Sequence, residues 1–242
     1  MTSHSLFMVC FAMFLPVAAS AAEGLNLSWD DCGSNGVSAK TFACNVTTGT
    51  DVLVASMRAP AGITQLKGVE GQIDIRSSTT NLPDWWKHNS IPLGGEPLAC
   101  RGNAGLDVDI ETDFQSCEDP WDTEANVSHD YDIGFLSPNR ARLRVTVDIA
   151  PLERALTADL EYLLFRVNLH HDKATGVGSC TGCSTSACIV FNEAKLVVGS
   201  SVVNVSTVAD RNHVSWQSVP AGCPGSTEAI RSTWGMIRSL YR

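Results

Sequence analysis

Cysteine content constrains the fold of this 242-residue chain more than any other feature of its sequence. Of its nine cysteines, Cys10 lies in an apolar N-terminal segment, and the rest are spread over the remaining chain: Cys32, Cys44, Cys100, Cys117, Cys180, Cys183, Cys188 and Cys223. An even number of cysteines in an exported protein predicts disulfides, because thiols are oxidised outside the cytosol. We therefore expect a fold that is stapled by up to four bridges.

The first 22 residues have the composition of a cleaved export signal. They contain no acidic residue, carry an apolar core over residues 6–19, and end in Ala19-Ser20-Ala21, a small-x-small cleavage pattern. The apolar core is too short to span a bilayer, and no later segment is long and apolar enough to do so. The sequence thus predicts a secreted or cell-surface protein with no transmembrane anchor.

Spacing along the chain favours bridges between cysteines that are close in sequence. We expect two short loops to be closed, by the pairs Cys32–Cys44 and Cys100–Cys117. The last four cysteines can pair in three ways. Among these we favour bridging within the 180–188 loop together with one bridge to Cys223, which would tie the C-terminal part to the body.

The dense segment 179–188, SCTGCSTSAC, also permits two chemical interpretations. Its thiolates together with His170 or His171 would suit zinc, and a C-x-x-C at the start of a helix would suit redox chemistry. The segment is instead a Gly-Ser-Thr loop between two strand-like stretches, in a chain with an export signal. We favour structural disulfides and expect no cofactor.

Period-two alternation of apolar and polar residues dominates the chain and predicts strands. It covers residues 25–29, 51–57, 71–76, 106–111, 141–149, 162–171 and 187–198, and SPNR at 137–140 predicts a hairpin turn. We expect an antiparallel all-β sandwich, either fibronectin- or immunoglobulin-like or jelly-roll-like. The predicted organisation is a signal peptide over residues 1–22 and a sandwich domain over 23–198. Residues 199–242 would form a Ser/Thr-rich linker and a helical or extended C-terminal docking or sorting tail.

One stretch carries a more specific signal than alternation. In LTADLEYLLFRV, Leu156 precedes Tyr162 by six residues and a strand follows. This pattern predicts a tyrosine corner, in which the hydroxyl bonds to upstream backbone and the ring covers the end of the core. A short helix over residues 152–160 is the alternative.

Two groups of residues are candidates for ligand binding. Trp85 and Trp86 follow a proline in LPDWWKHN, and exposed tryptophans can stack on sugars or anchor protein partners. The alternating acids of the second group are weak calcium candidates, and the favoured interpretation is a solvated acidic face: Asp107, Asp109, Glu111 and Asp113.

The net charge of -9 and a pI near 5.0 argue against nucleic acid as a partner, because an acidic surface repels phosphates. His170 and His171 end a strand, and neither belongs to a catalytic motif. The sequence therefore favours a module with a binding, adhesion or structural role, whose partner is a glycan or a cell-surface protein. An extracellular glycan-acting hydrolase with an unrecognised carboxylate pair is the alternative, and the oligomeric state is left open.

Four N-x-S/T sequons begin at Asn26, Asn45, Asn126 and Asn204. They would accept glycans in a eukaryotic secretory route and would be without consequence in a bacterium.

Seven short motifs are distributed along most of the chain, between residues 25 and 242. They are LNLSWDDC, FACN, LPDWW, CRGN, GFLSPNRARL, GVGSCTGCSTSACIVFNEAKL and STWGMIRSLYR. Through them the chain resembles a group of uncharacterised secreted bacterial proteins with a W-G-x-x-R-x-x-Y-R tail. The resemblance implies an exported bacterial product and carries no established activity or catalytic residues. The shared ending implies a role for the tail in secretion or surface attachment.

Overall fold

The structure is a computed structural model that describes residues 22–88, 99–114, 116–121, 125–149, 152–217 and 223. Nearly all regular structure in these ranges is β-strand, and the helical part consists of two short 3-10 turns, Asp84–Trp86 and Gly102–Gly105. The strands are β1 (Gly24–Trp29), β2 (Ala39–Lys40), β3 (Thr50–Arg58), β4 (Gln65–Leu66), β5 (Gly68–Ser77), β6 (Leu106–Asp109), β7 (Asn126–Ile133), β8 (Arg140–Asp148), β9 (Arg154–Ala155), β10 (Glu161–His170), β11 (Ala187–Val198), β12 (Ser201–Val205) and β13 (His213–Trp216).

Two sheets pack face to face, which confirms the predicted antiparallel β-sandwich. The smaller sheet has the strand order β1-β3-β10-β6, and all of its pairs are antiparallel. The larger sheet has the order β2-β13-β11-β5-β8-β7, with β12 beside β11 and a short parallel contact between β13 and β2. A separate two-stranded pair joins β4 to β9. Every stretch predicted from alternation lies in one of these strands or overlaps one.

The core lies between the sheets, because the apolar residues of each strand alternate with polar ones and point inward. Phe165 of β10 meets Phe191 of β11 edge to face, with ring centroids 5.7 Å apart. At one end of the core, aromatic rings pack around Trp216, whose centroid lies 5.9 Å from that of Trp29 and 6.2 Å from that of Trp85. No helix among the described residues is long and apolar enough to cross a membrane.

The predicted tyrosine corner is confirmed. Tyr162, at the start of β10, is buried, and its hydroxyl accepts a hydrogen bond of 2.7 Å from the backbone amide of Thr157. Residues 152–160 form an extended segment and a turn, with β9 inside it, so the alternative helix is wrong.

The pairing of the cysteines differs from the predicted pairing of sequence neighbours. The bridges are Cys32–Cys117, Cys44–Cys183, Cys100–Cys180 and Cys188–Cys223. The short loops expected from Cys32–Cys44 and Cys100–Cys117 are therefore wrong, and so is bridging within the 180–188 loop. Only the bridge from that segment to Cys223 is confirmed.

Sheet order explains the long-range pairing. After β6 the chain packs Phe114 and Cys117 against a small cluster of Cys32, Val54 and Leu163 on the four-stranded sheet. Glu118 then pairs with β10, donating to the carbonyl oxygen of Glu161 and accepting from the amide of Leu163. This path brings Cys117 to Cys32, which follows β1. Since Cys180, Cys183 and Cys188 are all consumed in disulfides, the zinc and redox interpretations lose their thiolates.

The boundary predicted at residues 198 and 199 falls inside the sandwich. Strands β12 and β13 both pair with β11, so residues 201–216 belong to the larger sheet and are not a linker. The side chain of Trp216 is fully buried at the end of the core. The predicted signal peptide, at residues 1–22, and the terminal segment 224–242 of the predicted tail lie outside the described residues, save for Ala22.

Candidate binding face on the four-stranded sheet

Polar side chains cover one part of the outer surface of the four-stranded sheet, where β3, β10 and β6 lie side by side. On β10 they alternate with Val167 and Leu169, which point into the core. The cross-strand register sets Arg166 opposite Asp109 and Asn168 opposite Asp107. We call this surface the polar face, and its members are Thr50, Asp107, Asp109, Arg166, Asn168 and His170.

Arg166 is the centre of the polar face. Its guanidinium makes a two-pronged contact with Asp109, with Nε 2.7 Å from Oδ1 and NH2 3.0 Å from Oδ2. It also lies 3.0 Å from Asp113 and 3.3 Å from Glu111. The forked guanidinium matches a carboxylate geometrically, so this pair holds both side chains in fixed positions.

The same arrangement argues against the calcium interpretation of the acids. The position where the four carboxylates would hold a cation is taken by the guanidinium of Arg166, which bonds directly to three of them. Burial alone would raise the pKa of Asp109, but hydrogen bonds from Arg166 and Asn168 outweigh it and hold that pKa below its ordinary value. Glu111 and Asp113 are largely exposed, as expected for a solvated acidic face. Among the described residues no group of three or more His, Cys, Asp or Glu side chains has a geometry suited to a metal.

The other members of the polar face are linked across strands as well. Asn168 donates to Asp109 at 2.5 Å, and Nε2 of His170 lies 2.7 Å from Asp107. Nδ1 of His170 lies 2.9 Å from the hydroxyl of Thr50 on β3. The hydroxyl of Thr50, the imidazole of His170 and the carboxylate of Asp107 thus form one hydrogen-bonded series. This series lies on an open sheet surface, where the side chains of His170 and Asp107 are 37% and 52% exposed.

His171, the next residue, points the other way and is buried. Its Nε2 lies 2.9 Å from Asp51, and its Nδ1 lies 3.1 Å from the carbonyl oxygen of Thr48. The ring stacks on Phe42 with a centroid separation of 3.7 Å. The two adjacent histidines therefore have different surroundings. His170 lies on the polar face, whereas His171 is buried against Phe42 and Asp51.

A buried arginine supports the end of β10 from inside. The side chain of Arg101 is fully buried, lies 3.7 Å over the Trp85 ring, and contacts Asp172 at 3.0 Å. Its NH2 group also donates to the carbonyl oxygens of Gly105 and His170. Arg101 thus fixes the backbone that carries the histidine of the polar face.

Trp85 and Trp86 are both fully buried, which corrects the prediction that they offer a ligand-binding surface. They form the 3-10 turn Asp84–Trp86, and both rings pack against Trp216 at the end of the core. A tight turn directs adjacent side chains to the same packed region, whereas an extended segment would separate them. Neither ring is available for stacking on a sugar.

His88 is buried beside this cluster, and among the described residues neither of its ring nitrogens has a hydrogen-bond partner. Its ring meets Tyr131 edge to face with centroids 5.2 Å apart. A Cβ on Gly105 would collide with Arg101 and would lie 2.8 Å from Nδ1 of His88, so these groups are tightly packed. Burial holds the pKa of His88 well below its usual 6.5, and the nearby charges of Arg101 and His129 lower it further.

Acidification below pH 6.5 is expected to destabilise the protein through His88. The unfolded chain binds a proton there while folded His88 stays neutral, so the contribution is complete above pH 6.5 and declines as the pH falls toward the folded-state pKa. One such group changes the free energy of unfolding by at most about 1.4 kcal/mol per pH unit. Urea unfolding between pH 7.5 and 5 should give a shallower dependence for His88→Phe than for the parent. Equal slopes would contradict this assignment.

Sequence reasoning missed four residues of this region: Thr50, Arg101, Arg166 and Asn168. Arg166 left a signal, since it shares its period-two face with Asn168 and His170, and the acids of β6 alternate in the same way. Arg101 left none, because it lies in an irregular segment and its partners are distant in sequence.

The similarity of this chain to known proteins is low. No protein-family model matches the chain, and no curated protein matches it. Among solved structures it is similar to a cohesin module from a Clostridium perfringens ATCC13124 family 33 glycoside hydrolase, at 10% identity over 81% of this chain and 93% of that one, with a TM-score of 0.37. It is also similar to the second type II cohesin module of the adaptor ScaA scaffoldin of Acetivibrio cellulolyticus, at 12% identity over 82% of this chain and 98% of that one, with a TM-score of 0.38. The collagen-binding subdomain of the Enterococcus faecalis surface protein ACE matches at 8% identity over 74% and 94%, with a TM-score of 0.23. Identities this low leave function to be argued from the residues of this chain.

Proposed function

We propose that this protein is an exported binding module that acts at the cell surface or outside the cell, and that its polar face contacts a protein partner. The observation that carries the proposal is the bonded arrangement around Arg166, in which side chains from separate strands hold one another in place. Four disulfides support a location in an oxidising compartment.

Fixed side chains favour binding because little conformational entropy is lost when a partner arrives. Asp107 and His170 are bonded to each other and half exposed. A partner can therefore replace the water around them without a change in their side-chain conformations. Arg166 lies deeper and sets the positions of Asp109 and Asn168. The polar face thus has exposed groups for contact and a buried group that orders them.

A glycan-acting hydrolase is the alternative function, and it requires two carboxyl groups that face each other across a groove, here expected near Trp85. Trp85 is buried, and the nearby Asp84 is paired with Lys87 at 2.8 Å. Asp109 is bonded to Arg166 and Asn168, which hold its pKa below the ordinary value, whereas a general acid needs a raised pKa. These contacts favour binding over glycoside hydrolysis.

The substitution Asp107→Lys is expected to weaken binding at least tenfold. It reverses the charge of the most exposed bonded carboxylate of the polar face and removes the contact with His170. The matched control is Thr146→Lys, which places the same side chain on an exposed position of β8 in the other sheet. Saturation binding of the full-length, disulfide-intact proteins to cells of the source organism measures the effect, and unfolding midpoints verify the fold. Equal binding by both variants would refute the proposal.

A further inference from the structure

Asn26 begins one of the four sequons, and its side chain is sealed inside the fold. It is 1% exposed, on β1. Its Nδ2 donates to both carboxylate oxygens of Glu161, at 2.8 and 3.1 Å. Its Oδ1 accepts from the backbone amides of Asp210 and Arg211, at 2.9 and 3.1 Å.

The surroundings of Asn26 leave no room for an attached sugar. Glu161 is itself held by the hydroxyl of Ser56 at 2.5 Å and by Nε of Arg58 at 3.1 Å. A Cβ added to Gly33 would already lie 3.1 Å from that carboxylate. An N-linked glycan attaches through the same Nδ2 atom and is bulky. The sugar takes the place of one of the two Nδ2 hydrogens, so at most one bond to Glu161 survives, and its bulk would separate β1 from the strand region around residue 161.

The other three sequons lie in different surroundings. Asn45 is exposed in the segment before β3, Asn126 is exposed at the start of β7, and Asn204 is exposed on β12. A glycan at any of them would point into solvent. The conflict with the fold is therefore specific to Asn26.

Disulfides form in oxidising compartments, which include the lumen of the endoplasmic reticulum and the bacterial periplasm. The first of these also carries out N-linked glycosylation, and it modifies sequons while the chain is still unfolded and Asn26 is accessible. We propose that this protein folds in an oxidising compartment that lacks N-linked glycosylation, as the bacterial cell envelope does. The inference is independent of what the polar face binds.

Secretion of the full chain from cultured human cells, behind a signal peptide of those cells, tests the proposal. The probe variant is Ser28→Ala, which removes the sequon while Asn26 and all its bonds are retained. Thr47→Ala is the matched control, because it removes the exposed sequon at Asn45. The readouts are the secreted yield of disulfide-intact protein and the glycan occupancy of each asparagine by peptide mass spectrometry. Export of all three proteins to the periplasm of Escherichia coli calibrates their intrinsic folding.

Ser28→Ala is expected to raise secretion from human cells several-fold relative to the parent, whereas Thr47→Ala leaves it unchanged. Parent chains retained in the cell should carry a glycan at Asn26, and secreted native chains should not. Ser28→Ala also loses the buried hydrogen bond from its hydroxyl to the carbonyl oxygen of Asp31, so the yield of each protein from human cells is divided by its yield from the bacterial periplasm. Native secreted protein with a glycan at Asn26 would overturn the proposal. Secretion of the parent at the level of Ser28→Ala would overturn it as well.

Discussion

Replacement of Arg101 by alanine is expected to lower the free energy of unfolding by about 3 to 5 kcal/mol, the range found when one partner of a buried ion pair is removed. The side chain of Arg101 is fully buried and bonds to Asp172 at 3.0 Å. Its NH1 group lies 3.4 Å from the carbonyl oxygen of Trp85, and its NH2 group donates to two further carbonyls. The substitution leaves all these acceptors without their donor in a region that water reaches poorly.

Urea unfolding at pH 7.5 measures this loss, and two further variants sharpen it. Arg101→Lys should recover only a small part, because an ammonium group cannot reproduce the fork that reaches several acceptors at once or the stacking on Trp85. Arg144→Ala is the matched control, since Arg144 forms an exposed pair with Asp132, and it should cost less than about 1 kcal/mol. A loss for Arg101→Ala as small as that of the control would show that the buried guanidinium does not hold this end of the sandwich.

Removal of any one of three disulfides is expected to lower the free energy of unfolding by about 3 to 4 kcal/mol, with nearly the same value for each. The bridges Cys32–Cys117, Cys44–Cys183 and Cys100–Cys180 join residues 85, 139 and 80 positions apart. If sequence separation alone set the effect, Cys44–Cys183 would be the most stabilising of the three bridges.

The three bridges are interleaved along the chain, so their stabilising effects do not follow sequence separation. The short segments 32–44, 100–117 and 180–183 connect them into one closed ring. Removal of any one bridge opens that same ring of about 35 residues, so the unfolded chain gains the same entropy in each case. Cys→Ala pairs compared by urea unfolding test this, and Cys188–Cys223 outside the ring serves as the reference. Losses that increase with sequence separation would contradict the ring account.

The sequence by itself determined those features that depend on near neighbours along the chain. Alternation of inward and outward side chains is a local property of an extended backbone, so β1, β3, β5, β8, β10 and β11 could be assigned from it. The tyrosine corner was equally local, because Tyr162 bonds to an amide only five residues upstream. The cysteine count and the export signal indicated that disulfides would form. Neither requires knowledge of the fold, because both are read directly from the sequence.

Tertiary structure decided which distant groups meet. Cysteine pairing depends on the order of strands in the sheets, and residues 35 to 139 positions apart are joined. The burial of Trp85 and Trp86 depends on a 3-10 turn that packs against Trp216, more than a hundred residues later. Arg166 could bond to Asp109 of β6 only once β10 and β6 lay in register. Local patterns specify strands, but partners across a sheet are chosen by the free energy of the whole packed fold, which no short stretch of sequence contains.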